Sequence, residues 1–339
     1  MASDALRNYH RILEGERRAC YLESKLTAVD VDRRATLEEL WTAHKRVLRR
    51  NDRTERGVTL LELKLELARR MLHSCELCER RCKVDRASGE SGHCGVTDAR
   101  ISSEFLHMGE EPDLVPSYTI FFSGCTFNCV FCQNWDISTR PGSGQTIEPD
   151  SLARLIEMKG GGGRRGVRTV DGYARNVNWV GGDPTSNLAF ILDVLGHCSA
   201  NLPQIWNSNM YLTEESMRLL DGAIDVYLTD FKYGNDDCAL RLSNARDYMS
   251  VVTRNHRTAR EHADMIVRHL VLPNHYECCT RPVLEWIGQN LPNVKVNVMG
   301  QYHPAHMAMK FPDIARPLKM SEFQAAIDLA EDLGLDLID

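Results

Sequence analysis

From residue 117 to the C-terminus, short β-rich runs alternate with helical stretches, and this alternation constrains the fold more than any other feature of the 339-residue chain. Strands are expected at 118–123, 176–180, 204–207, 225–230, 265–272 and 294–299, and helices at 150–158, 187–196, 214–221, 281–290 and 321–333. Apolar strands separated by helices build a parallel sheet covered on its outer face. Six such units fall short of the eight of a closed barrel. The expected fold is therefore α/β, an open, partial (β/α)6 barrel, with functional groups at the C-terminal ends of its strands.

The organisation before residue 117 is different. Residues 1–73 read as a helical extension, with a capping box at Thr36-Leu-Glu-Glu39 and dense helix formers from Leu60 to Leu72. Residues 74–112 read as a cysteine-rich segment too poor in large apolar side chains to hold itself together without a bound metal. Residues 113–339 form the barrel. The first residues carry charges where a signal peptide would need an apolar core, and no run approaches the ~18 apolar residues of a membrane span. Both point to the cytoplasm. A net charge of −6 gives no sign of a nucleic-acid or membrane surface. The glycine run 160–163, followed by Arg164-Arg165, reads as a surface loop.

Twelve cysteines are many for such a chain, and seven of them fall in two short groups. In a reducing compartment, clustering at short spacing means metal binding rather than disulfides. The first group is Cys75-x2-Cys78-x3-Cys82-x11-Cys94, four thiolates that close a site for a structural zinc or for an auxiliary [4Fe-4S] cluster. The second is Cys125-x3-Cys129-x2-Cys132, directly after the first strand. Three thiolates can bind three irons of a [4Fe-4S] cube and leave the fourth open to a small bidentate ligand. A zinc there would want a fourth ligand. Cys20, Cys198, Cys238, Cys278 and Cys279 lack such spacing and read as packing residues, although the adjacent pair Cys278-Cys279 could contribute to a site.

The C-x3-C-x2-C loop, with aromatic Phe131 before its last cysteine, resembles the signature of the radical S-adenosylmethionine (SAM) superfamily. Gly181-Gly182-Asp183-Pro184, at the end of the second strand, resembles that superfamily's Gly-Gly-Glu motif, which holds the methionine amino group of SAM. Asp230-Phe-Lys232, ending the fourth strand, resembles the Asp-x-Lys of glycyl-radical activating enzymes. With Trp206-Asn207-Ser208-Asn209, Arg268-His269 and Gly300-Gln301-Tyr302-His303, these segments resemble the pyruvate formate-lyase activating enzyme-related family from about residue 70 onward.

The resemblance implies a [4Fe-4S] cluster on Cys125, Cys129 and Cys132. It implies SAM held by Gly181, Gly182, Asp183, Asn207, Asn209, Asp230, Lys232, His269 and Gln301, and a reductant such as flavodoxin or ferredoxin. Lys232, His269 and His303 are the candidates for direct catalysis, each histidine having a plain buried or structural role as its alternative. The implied activity is reductive cleavage of SAM to a 5′-deoxyadenosyl radical that takes hydrogen from a small-molecule substrate, with the first cysteine group able to serve as an auxiliary centre. An activase that places a radical on a protein partner and a non-enzymatic iron-sulfur electron carrier are the competing expectations.

Overall fold

The computed structural model describes residues 5–49, 57–161 and 173–338. Most of the glycine-arginine run expected as a surface loop lies outside them. The centre of the molecule is an eight-stranded sheet: β1 (Ile101–His107), β2 (Ser117–Phe122), β3 (Asn176–Gly181), β4 (Gln204–Ser208), β5 (Val226–Asp230), β6 (Asp264–Leu270), β7 (Lys295–Met299) and β8 (Asp336–Leu337), hydrogen-bonded in that order. Every neighbouring pair from β2 to β8 is parallel, and β1 runs antiparallel along the outer edge of β2. The fold is the expected α/β partial barrel. The six expected strands are all present. Strand β1 lies inside the segment read as a cysteine-rich knuckle, and its pairing with β2 ties that segment to the sheet.

The strands are near-continuous apolar runs because both faces are covered. Helices α5 (Pro149–Lys159), α6 (Leu188–His197), α7 (Glu214–Leu220), α8 (Asp236–Ser243), α9 (Tyr248–His262), α10 (Arg281–Asn290) and α11 (Met320–Asp332) connect or follow them. Their starts are set locally. Proline opens α5, and the Thr213 and Asn235 side chains cap α7 and α8. Trp179 and Trp206, paired across β3 and β4, are buried between sheet and helices.

The N-terminal extension contains α1 (Arg7–Leu13), α2 (Cys20–Leu26), α3 (Leu37–Arg49) and α4 (Leu60–Met71). The Thr36–Glu39 capping box forms as expected, with Glu39 accepting from the Thr36 backbone at 2.8 Å. Helix α4 carries a second box from Thr59 and Glu62. Helices α2 to α4 add to the outer helical layer. Helix α1 instead closes the N-terminal end of the barrel: Leu6 and Tyr9 form a separate core with Leu114, Ile205, Val226, Leu228 and Ile266. The Tyr9 backbone N–H donates to Asp264 at 2.8 Å, and the Asn176 amide donates to the Tyr9 hydroxyl at 2.9 Å. Among the described residues no helix is long and apolar enough to cross a membrane.

Candidate active site

A cavity of about 780 Å³ opens at the C-terminal ends of the strands, where a barrel of this type keeps its functional groups. The loop after β2 brings Cys125, Cys129 and Cys132 to its wall, with Phe127 and Phe131 beside them. Each sulfur has a polar neighbour. The Phe127 N–H donates to Cys125 Sγ at 3.4 Å, the Ser243 hydroxyl donates to Cys129 Sγ at 2.9 Å, and the Ser138 hydroxyl lies 3.4 Å from Cys132 Sγ. Burial pushes the Cys129 thiol up to about 11, with the Lys232 ammonium opposing it. Burial raises the Cys125 thiol as well. Three soft donors on one wall, none closing on a fourth, can hold an iron-sulfur cube with one open corner.

The glycine pair at the end of β3 is required by packing. Gly181 has φ +133°, and a Cβ on it would stand 2.2 Å from the Phe122 carbonyl oxygen. A Cβ on Gly182 would stand 2.0 Å from the Gly124 carbonyl oxygen and 3.0 Å from Cys125 Cβ. Only glycine lets the end of β3 lie flat against the cysteine loop, and the same bareness exposes main chain to a ligand.

Asp183 borders the cavity, but its carboxylate is fully engaged. It accepts from the Thr185 N–H at 2.9 Å, the Ser208 hydroxyl at 2.9 Å and the Asn209 N–H at 3.0 Å. Burial raises its pKa, and these donors work against the rise. It fastens the end of β3 to the end of β4. Asn207 and Asn209 face the cavity together, as strand alternation predicts. The Asn209 amide donates to Thr126 Oγ1 at 2.9 Å and so steadies the cysteine loop.

Asp230 and Lys232 close the next sector with a 2.6 Å ion pair. Burial would lower the Lys232 pKa, but Asp230 and the nearby Cys129 and Cys132 outweigh it and hold the ammonium above its ordinary value. Gln301 lies at the rim, and the Gln133 amide joins it to His303, 3.2 Å from His303 Nδ1. His303 is exposed and outside the cavity lining. The placement of His269 departs from the expectation that it contacts SAM or takes part in catalysis, since it is not among the residues lining the cavity. On β6 the inward positions are Ile266, Arg268 and Leu270, so His269 points outward. It is fully buried between the Phe231 carbonyl at 2.8 Å and the Thr280 hydroxyl at 3.0 Å, and burial lowers its pKa to about 4.

Sequence reasoning missed the cavity floor. The segment between β1 and β2 brings Glu110 and Glu111 under the cavity, where they meet Arg268 of β6 and Asn297 of β7. The Arg268 guanidinium grips Glu111 through two bonds of 2.6 Å and also pairs with Glu110. Glu111 further accepts from Asn297 at 2.9 Å, and Glu110 from Asn178 at 3.0 Å. Burial would raise the Glu111 pKa, but Arg268 outweighs it and the carboxylate stays ionised. The adjacent pair Glu110-Glu111, two acids in a short connection, is the sequence signal that could have flagged the floor.

The cysteine-rich segment docks beside this site. Its Arg80 donates to the Thr126 carbonyl of the cysteine loop at 3.0 Å, and Arg86 donates to the Ser186 carbonyl at 2.8 Å. Cys75, Cys78, Cys82 and Cys94 ring one small void. Burial raises the Cys78 thiol, and the other three cysteines add to the rise. A donor set of four thiols about one space fits a closed metal site. A third group departs from the packing role expected of Cys238 and includes the adjacent pair Cys278-Cys279, which the sequence allows to contribute to a site: all three meet at His275.

The Radical SAM superfamily model matches residues 119–287. The chain is 44% identical over 334 residues to an uncharacterized protein of Methanocaldococcus jannaschii, covering 94% of this chain and 95% of that one. It belongs to the radical SAM superfamily. Similar solved structures include SuiB of Streptococcus suis bound to its precursor peptide SuiA, at 12% identity over 63% of this chain and 46% of that one with a TM-score of 0.45. Methylornithine synthase is 13% identical over 97% and 84% with a TM-score of 0.43. A domain of pyruvate-formate lyase-activating enzyme from Bacteroides vulgatus is 18% identical over 48% and 96% with a TM-score of 0.39.

Proposed function

We propose that this chain is a radical SAM enzyme acting on a small molecule, with SAM and substrate together in the strand-end cavity. The observation that carries this is the convergence of three thiols, a bare glycine strand end and a paired Asp-Lys on one space of about 780 Å³. That volume lies within the ~300–1,000 Å³ of small-molecule sites. When bound, the [4Fe-4S] cluster supplies one electron that splits SAM into methionine and a 5′-deoxyadenosyl radical, which takes hydrogen from the substrate.

The protein's own residues set the stage. Cys125, Cys129 and Cys132 hold the cluster. The main chain at Gly181 and Gly182 receives the amino group of SAM, positioned by Asp183 rather than touched by it. Lys232 offers its ammonium to a carboxylate, and Asn207 offers hydrogen bonds beside it. Phe127, Phe131 and the Glu110–Arg268 floor exclude bulk water from the reacting end. Anaerobic protein given dithionite and SAM should form 5′-deoxyadenosine. No formation above background, with the cluster intact, sinks the reading. A flavodoxin or ferredoxin would replace dithionite in the cell.

We further propose a second [4Fe-4S] cluster on Cys75, Cys78, Cys82 and Cys94. Its position against the cysteine loop suits electron transfer, substrate ligation or sulfur supply. The test is iron and sulfide analysis with Mössbauer spectroscopy on protein in which Cys125, Cys129 and Cys132 are all alanine. About four irons remaining supports the second cluster, and zinc without iron refutes it.

A further inference from the structure

We infer that Cys238, His275, Cys278 and Cys279 form a mononuclear zinc site, separate from the cavity and from the knuckle. The four donor atoms all lie within 4.8 Å of one another. His275 Nδ1 is the centre of the group, at 3.2 Å from Cys278 Sγ, 3.6 Å from Cys238 Sγ and 3.6 Å from Cys279 Sγ. Cys238 Sγ and Cys278 Sγ are 3.9 Å apart. Zinc–sulfur bonds of ~2.3 Å at a tetrahedral angle set sulfurs ~3.8 Å apart. The measured spacing is thus that of ligands to one ion. A [4Fe-4S] cube would hold its thiolates farther apart, at the corners of the cluster. Three thiols and one imidazole are a common structural donor set for zinc.

The surroundings are those of a ligand shell. The far nitrogen of the imidazole, Nε2, lies 2.9 Å from Asp313 Oδ2, the carboxylate–histidine arrangement that fixes which ring nitrogen faces a metal. Arg241 pairs with Asp313 and reaches the same Nε2 at 3.4 Å. Its cation offsets the net negative charge of three thiolates on a divalent ion. Asn235 donates to Cys238 Sγ at 3.4 Å and to the Cys278 carbonyl at 2.7 Å. Cys278 and Cys279 sit in a π-helical turn, Tyr276–Thr280, a departure from α-geometry that is frequent at functional sites. In that turn both neighbouring sulfurs reach one imidazole. Cys279 and His275 are buried, while Cys238 and Cys278 are half-buried, so an ion can enter. Binding Zn²⁺ displaces the three thiol protons to solvent and involves no change of oxidation state.

The site joins two strand ends. Cys238 lies on the first turn of α8, six residues after Lys232. His275, Cys278 and Cys279 lie in the connection from β6 to α10. The ion would clamp the connection that follows Asp230-Phe-Lys232 to the one that follows Arg268, tying together the loops of two adjacent strands, β5 and β6, from outside the cavity.

The test uses the full chain with its iron centres. Zinc and iron are measured by mass spectrometry, and the zinc environment by X-ray absorption. One zinc per chain with a three-sulfur, one-nitrogen shell is expected. Cys238→Ala should lose that equivalent with iron unchanged, and Cys78→Ala should keep it. In Asp313→Asn the four ligands remain, and zinc should be ~10–100-fold easier to remove with a competing chelator. That variant carries the test should Cys238→Ala fail to fold. Zinc content unchanged in Cys238→Ala, an all-sulfur shell, iron in place of zinc at this group, or a Cys238–Cys278 disulfide would each overturn the assignment. None of these outcomes depends on whether SAM is cleaved.

Discussion

At the residue scale the site rests on close approach and on buried charge, and each makes a prediction. Gly182 cannot accept a side chain because the Gly124 carbonyl lies where its Cβ would be. Gly182→Ala should therefore push the cysteine loop off the end of β3 while leaving the sheet intact. SAM should bind at least ~10-fold more weakly, a cost of about 1.4 kcal/mol, by equilibrium titration, with the far-ultraviolet circular dichroism unchanged. Wild-type affinity would show that the main chain there touches no ligand. Arg268 neutralises two buried acids, and removing one partner of a buried ion pair typically costs ~3–5 kcal/mol. Arg268→Ala should lose about that much in urea unfolding and recover part of it as the pH falls and Glu111 takes up a proton. The residues legible beforehand are those whose chemistry is written in short spacing: the cysteines, the glycine pair, Asp230 and Lys232. The Glu110–Glu111–Arg268–Asn297 floor was not legible because it joins residues more than 150 positions apart. His269 was placed wrongly because the inward or outward sense of a strand position follows from register, which neighbouring strands fix.

At the element scale, the helices that the sequence announced were apolar enough to stand out between strands, even where, as in α6 and α10, no side chain caps them. Strand β1 was hidden in the cysteine-rich segment, and α8, although Asn235 caps it, lay with α9 in a polar stretch. The junction of α3, α4 and α7 holds an unannounced feature. Lys64 is fully buried, its ammonium 2.9 Å from His44 Nε2 and donating to the Arg218 carbonyl at 2.9 Å. Burial lowers the Lys64 pKa from 10.5 to about 8, and burial with the adjacent Lys64 lowers His44 to about 2. Between about pH 8 and 10.5 the unfolded chain binds a proton at Lys64 that the folded chain has released. Stability therefore rises with pH across that window. Chemical denaturation of wild type and Lys64→Met at pH 7.5 and 10, values that bracket most of the ~8–10.5 window, should show the wild type gaining relative to the variant. A constant difference would mean that the folded chain keeps the Lys64 proton across the window, its pKa not lowered by burial.

At the scale of the whole molecule, one connection serves both ends of the barrel. The segment between β1 and β2 presents Glu111 to Arg268 under the cavity and Leu114 to the core that α1 closes. The Leu114 N–H donates to the Glu111 carbonyl at 2.8 Å, and the Leu114 carbonyl accepts from Asn176 at 2.6 Å. Asn176 in turn donates to the Tyr9 hydroxyl. A continuous run of bonds thus leads from the N-terminal helix to the floor of the active site. Tyr9→Ala removes a fully buried aromatic ring, which costs ~3–5 kcal/mol at comparable core positions, and its loss frees the segment from below. Arg268→Ala frees the same segment from above. Because both act on one loop, their effects should not add: the double variant should be destabilised by less than the sum of the single losses, with an interaction of ~0.5–3 kcal/mol. Urea unfolding of the four-member cycle measures this. Additive losses would mean that α1 is only a plug and that the floor of the cavity is held independently of it. A non-additive cycle would make the N-terminal extension part of what keeps the cavity in shape, and Tyr9→Ala alone should then weaken SAM binding with Cys125, Cys129 and Cys132 untouched.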